Sequence, residues 1–130
     1  AALCLWAPAG NIGELIQKSI SDMEAAGVDV NSLEYYDLRG NLVGRAFVED
    51  VLSLDVFEIA SSYDKQVLIL HGDRDEAVPL ETSHRYLKIY GDKAKLNVIK
   101  DADHTFNKHE WERKVIEETV GFLKSQADDM

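Results

Sequence analysis

The chain has 130 residues, 45% of them hydrophobic and 29% charged, a balance that suits one soluble globular domain with a core rather than a disordered or membrane polypeptide. A formal net charge of −10 and a pI near 4.7 argue against nucleic acid and against an anionic membrane as partners, because both need clustered Lys and Arg. The single cysteine, Cys4, permits no intrachain disulfide, which agrees with a reducing compartment and makes a cytoplasmic location the expectation.

The opening segment AALCLWAP is not a signal peptide: it has no basic flank, and its apolar run is far shorter than the roughly 20 residues that span a bilayer. Residues 2–7 read instead as a buried parallel strand stopped by Pro8, and a chain that opens on a core strand is expected to have a segment before it. Asn11 is placed to cap a helix over residues 12–26, where Ile12, Leu15, Ile16, Ile20 and Met23 recur at helical spacing and Gly27 supplies the stop. Residues 33–38 and 42–47 flank Arg39-Gly40-Asn41 and read as a hairpin. A short helix over 56–61 follows, then a strand over 67–71, a helix over 81–90, a strand over 95–99 and a final helix over 109–126.

The strand and helix alternation of the second half predicts a parallel sheet with right-handed crossovers, with residues 10–60 inserted between strands. Three core strands leave an apolar edge that needs a cover. The candidates are an upstream segment of the same polypeptide, a separate chain, or a second copy forming a homodimer.

Two motifs carry chemistry. VLILHGDRDEAVP, residues 67–79, brings an acid-rich loop off one strand, and KDADHTF, residues 100–106, brings a histidine off the next. In open α/β sheets the carboxyl ends of the strands form the functional edge, so Asp75 and His104 are expected to meet in one crevice. The plainer reading makes Asp73 and Asp75 turn formers, with Asp73 exposed and paired to Arg74. His71 ends a buried strand and reads as a packed, hydrogen-bonded residue, while His84 and His109 fall on helices and face water. A metal site from Asp101, Asp103 and His104 is disfavoured, since no second histidine stands at metal-binding helical spacing. Cys4 sits inside a strand and reads as core, and Ser61-Ser62 lies in a polar turn without the strand-to-helix setting of a reactive hydroxyl.

WAPAGN after a strand, the insertion, VLILHGDRDEAVP, and DADHTF before a terminal helix together resemble the carboxyl-terminal half of a serine-dependent α/β-hydrolase, closest to the bacterial cinnamoyl and feruloyl esterases. The resemblance implies a three-layer, parallel-sheet α/β fold in which residues 1–130 are the carboxyl-terminal part of one domain and residues 10–60 its cap. In that fold the triad runs nucleophile, acid, histidine, and the acid follows HGxxD, so the catalytic residues carried over are Asp75 and His104. It further implies a small carboxylic ester as substrate, a hydroxycinnamate first among them, and no cofactor. The elbow G-x-S-x-G occurs nowhere in the sequence, nor does a form with Cys or Asp in place of Ser. The serine and the oxyanion donors are therefore expected upstream of Ala1, in an amino-terminal half that acts as partner. An Asp there would make the same pair serve a dehalogenase or epoxide hydrolase, and a Cys a lactone hydrolase. The competing reading is a noncatalytic scaffold or half-domain that pairs through its exposed sheet edge. Tyr35, Tyr36 and Phe47 are candidates for an aromatic wall at the substrate, against the plainer role of packing the insertion.

Overall fold

A computed structural model describes residues 1–129. They divide into two compact units, the smaller being Gly10–Val56 and the larger Ala1–Ala9 with residues 57–129.

The larger unit is built on a parallel sheet of β1 (Ala2–Trp6), β4 (Gln66–Gly72) and β5 (Ala94–Ile99), in the order β1-β4-β5. Leu5 stands opposite Ile69, and Leu70 opposite Asn97. The central strand is the near-continuous apolar run VLIL, as a strand covered on both faces requires, and Val67 through Gly72 are all buried. Side chains alternate across it. Leu68 and Leu70 point to one face and join Ile99, Ala102, Phe106 and Val115 in a core under α5 (His109–Asp128). His71 points to the other face, where it meets Ser83 of α4 (Leu80–Tyr90). A helix on each face of the sheet makes three layers, as the resemblance implies. Burying an aliphatic side chain as completely as Leu70 or Val115 stabilises by about 1.5–3 kcal/mol.

The smaller unit consists of α1 (Ile12–Ala25), a 3-10 turn at Val30–Ser32, β2 (Tyr35–Leu38) antiparallel to β3 (Asn41–Gly44), and α2 (Arg45–Ser53). Its core is Ile16, Val30, Tyr36, Val48 and Val51. Leu38 pairs with Asn41, so Arg39-Gly40 is a two-residue hairpin loop. Both have positive φ, 55° and 86°, the conformation that matches the twist of the flanking strands.

The run over 42–47 does not continue as a strand: it ends at Gly44, and Phe47 lies in α2, a helix the local pattern did not announce. Valines at 43, 48 and 51 favour extended backbone when read locally, but Val48 and Val51, three positions apart, both reach the core against Ile16. Arg45 fixes the start of the helix, its guanidinium donating to the carbonyls of Leu33 at 2.8 Å and of Val30 and Asn31 at 2.9 Å. The remaining elements, α3 (Val56–Ser61) included, fall within one or two residues of expectation. Among the described residues no helix is long and apolar enough to cross a membrane.

Candidate active site

β4 and β5 release their chains at the same edge of the sheet, into loops 73–79 and 100–108. The two loops are laced together at their roots. Gly72 approaches so closely that a Cβ there would stand 2.2 Å from the Ala102 carbonyl oxygen, and the next amides donate across the gap, Asp73 to Ile99 at 3.4 Å and Arg74 to Ala102 at 3.1 Å. Asp73 accepts from the Asp101 amide at 2.6 Å. The expected Asp73–Arg74 pair does not form: Arg74 instead lies 3.3 Å from Asp101. Both side chains are largely in water, where such a pair adds little; Asp73 is the residue that ties the loops.

Asp75 and His104 meet. Asp75 Oδ1 accepts from the amides of Ala77 at 2.9 Å and Val78 at 2.7 Å, an Asx turn that leaves Oδ2 for the imidazole. That oxygen lies 2.7 Å from His104 Nδ1. The Asp75 side chain is fully buried, whereas His104 keeps 37% of its side-chain surface exposed. Burial pushes the Asp75 carboxyl up, but the Val78 amide, His104 and the Ala77 amide together outweigh it and hold the group below its ordinary value, since each favours the ionised form. With Nδ1–H committed to the carboxylate, His104 Nε2 is the nitrogen left for chemistry.

The loop that carries His104 is anchored on both sides. Phe106 is buried in the α5 core at a φ of 54°. Asp103 accepts from the amide and side chain of Asn107 at 2.9 and 3.0 Å, bonds that lower the Asp103 carboxyl from its usual range. His104 lines a cavity of about 640 Å³ together with Trp6, Phe106 and Ile116. Trp6 stands edge-on to Phe106, with ring centroids 6.4 Å apart, and its indole N–H donates to Thr119 at 3.0 Å. The space is a recess of mixed character, with Thr105, Asn107 and Glu112 beside the apolar groups and an imidazole in its wall.

His84 and His109 are exposed on helices, as expected. Cys4 packs against the core, with Sγ 3.6 Å from Thr119 Oγ1. Ser61 and Ser62 bond back to the carbonyls of Glu58 and Ile59 at a helix end. Tyr36 belongs to the smaller unit's own core, its hydroxyl donating to Val30 at 3.3 Å, while Tyr35 and Phe47 are exposed. Among the described residues no cluster of three His, Cys, Asp or Glu is placed to hold a metal ion.

His71 is the packed, hydrogen-bonded residue expected, but its neighbours were not anticipated. Its Nε2 reaches to 3.1 Å from Asp75 Oδ2, and its Nδ1 lies 2.5 Å from Ser83 Oγ. A signal was present in α4, where Ser83 interrupts the stripe of Leu80, Leu87 and Tyr90 at a position that faces inward. A hydroxyl on an apolar stripe needs a buried partner.

The fold recurs in solved structures. The chain is similar to Est1E from Butyrivibrio proteoclasticus, with 28% identity and a TM-score of 0.75 over 97% of this chain and 51% of that one. A second structure, of Est1E with ferulic acid bound, matches at 29% identity and a TM-score of 0.74, over 97% and 50%. The esterase domain of a Rhodothermus marinus protein shares the fold at 16% identity and a TM-score of 0.58, over 70% and 39%. The chain thus spans about half the length of the Est1E structures it matches. No curated protein matches it. Residues 16–129 match the prolyl oligopeptidase family, and with the helix-covered parallel sheet this shows that the chain belongs to that family and has an α/β-hydrolase fold.

Proposed function

We propose that this chain supplies the acid and the histidine of a serine-type carboxylic ester hydrolase, Asp75 and His104, with the serine and oxyanion donors on a segment outside residues 1–130. The observation that carries the reading is the 2.7 Å contact between Asp75 Oδ2 and His104 Nδ1, made by a buried carboxylate whose other oxygen is held by two amides. His104 Nε2 takes the proton of the serine hydroxyl as it attacks the ester carbonyl, then returns one to the departing alcohol. Asp75 holds the tautomer and stabilises the imidazolium. No cofactor enters these steps.

Ferulic acid bound to Est1E makes hydroxycinnamate esters the first substrates to test. Residues 10–60 are the cap of that domain, where substrate choice is made. The partner is the amino-terminal half of the domain. The open side of β1 and the exposed Ile116, Val120 and Leu123 along α5 support a missing neighbour, since an unpaired strand edge beside an apolar stripe is poorly suited to water. The same surface, with no G-x-S-x-G in the chain, also supports the second reading, a noncatalytic half-domain that pairs through its edge with a partner or with itself.

The test is hydrolysis of methyl ferulate and of an activated aryl ester by the full-length protein. The corresponding Asn substitution in a serine protease costs about 10⁴ in turnover. Asp75→Asn is expected to lose a similar factor and His104→Ala at least as much, with each variant folded by circular dichroism. Retention of most activity by either folded variant rejects the assignment. A full-length protein without a G-x-S-x-G segment, and without activity, leaves the half-domain reading.

A further inference from the structure

His71 is completely buried and belongs to no step of the chemistry above, yet it touches the acid. Its Nε2 lies 2.9 Å from the Val78 carbonyl oxygen and 3.1 Å from Asp75 Oδ2. Two acceptors at one nitrogen require that nitrogen to carry a proton, because a lone pair there would face two oxygens with nothing between. The opposite nitrogen, Nδ1, is 2.5 Å from the Ser83 hydroxyl, which is itself fully buried on α4. With Nε2 protonated, the hydroxyl donates to Nδ1 and fixes both the tautomer and the plane of the ring.

The consequence falls on one atom. Asp75 Oδ2 lies between two imidazoles, His71 Nε2 at 3.1 Å and His104 Nδ1 at 2.7 Å. The Val78 residue is held from both ends, its amide by Asp75 Oδ1 at 2.7 Å and its carbonyl by His71 at 2.9 Å. The turn that carries the acid is therefore clamped against β4 and α4 and cannot rotate the carboxylate without breaking a buried bond.

We propose that His71 is a positioning residue for the Asp75–His104 pair: its Nε2–H, with the ring oriented by Ser83, donates to the Val78 carbonyl and so holds the turn in which Asp75 Oδ2, 3.1 Å from that nitrogen, faces His104. This deepens the assignment of Asp75 and His104 as acid and histidine, and it rests on that assignment for its effect on rate. Its effect on geometry stands apart. At metal sites, partners one bond removed from the reacting group are worth about 10- to 100-fold in activity, and a similar factor is expected here.

The experiment uses the full-length protein with three variants. His71→Leu fills the space and removes the donor; His71→Gln returns an N–H near the position of Nε2; Ser83→Ala removes the ring's orienting partner. Two quantities are read, the kinetic constants for methyl ferulate and the proton resonance of His104 Nδ1–H. His71→Leu is expected to lower kcat about 10- to 100-fold with KM little changed and to broaden or shift the Nδ1–H resonance. His71→Gln should recover most of both, and Ser83→Ala should fall between. If His71→Leu does not fold, the graded response of His71→Gln and Ser83→Ala decides the matter. A folded His71→Leu with unaltered kcat and an unaltered His104 resonance overturns the proposal, as does failure of the folded Gln variant to recover either quantity. If instead Asp75→Asn retains activity, the hydrolase assignment fails, and the resonance alone judges whether His71 holds the carboxylate.

Discussion

The two units differ in how much fully covered core each builds around its strands. In the larger unit, β4 is buried from Val67 to Gly72, and Asp73, Asp75, His71 and His104 are held by bonds between residues 12 to 29 positions apart in sequence. In the smaller unit a five-residue core lies beside apolar side chains left in water, Leu42 at 75% exposure and Phe47 at 49%. Size explains part of this, because a unit of under 50 residues has too much surface for its volume to bury every apolar group. The difference teaches where fixed chemistry can live. An acid and a base must be held to a fraction of an ångström, and only the unit with a fully covered strand has buried partners to spare for holding them.

The largest effect expected from breaking the contrast is at Gly72. Its hydrogen stands where a Cβ would meet the Ala102 backbone, so Gly72→Ala must push the two loops apart, at a cost of about 4 kcal/mol or more. The check is the urea midpoint together with the His104 Nδ1–H resonance; a variant as stable as the parent would show the loops to be loosely joined. Next is Ile16→Ala in the smaller core, where the side chain is 2% exposed and the loss expected is about 2–4 kcal/mol. Amide exchange should quicken across residues 10–56 while β4 stays protected, and equal quickening in both units would erase the distinction between them.

The smallest effect concerns acid. The Asp75 carboxyl is held below its ordinary value in the folded chain, so the bonds that do so contribute fully above the unfolded value and are lost as pH falls through the folded one. Between about pH 5 and pH 3 the parent should therefore lose more stability than Asp75→Asn, which has no proton to take up there. Urea midpoints measured across that range check it, and parallel slopes for the two proteins would show that Asp75 gains nothing from its partners.

Much of this was legible in the chain. The order of strands and helices in residues 66–128 follows from local periodicity, and the joint appearance of HGDRDEAVP and DADHTF marked Asp75 and His104 before any geometry was known. What escaped local reading had distant partners. α2 was hidden because Val48 and Val51 favour extended backbone until Ile16 and the carbonyls around Val30 make a helix the better arrangement. Arg74 reads as the neighbour of Asp73, but the amide of Asp101 claims that carboxylate first. His71 reads as packed and hydrogen-bonded, but that its partners are Ser83 and the turn of Asp75 depends on how α4 lies over β4.

The sequence by itself determined the element types of residues 66–128, the buried run of β4 and the residue kinds at the ends of β4 and β5, because each depends on side chains a few positions apart and on the period of the backbone. Only the tertiary structure decided that Asp75 Oδ2 stands between His71 and His104, that Gly72 yields to the Ala102 carbonyl, and that Ser83 meets a buried ring. Those are distances across the sheet and between layers, and a distance of that kind is fixed by packing, which no run of neighbouring residues encodes alone.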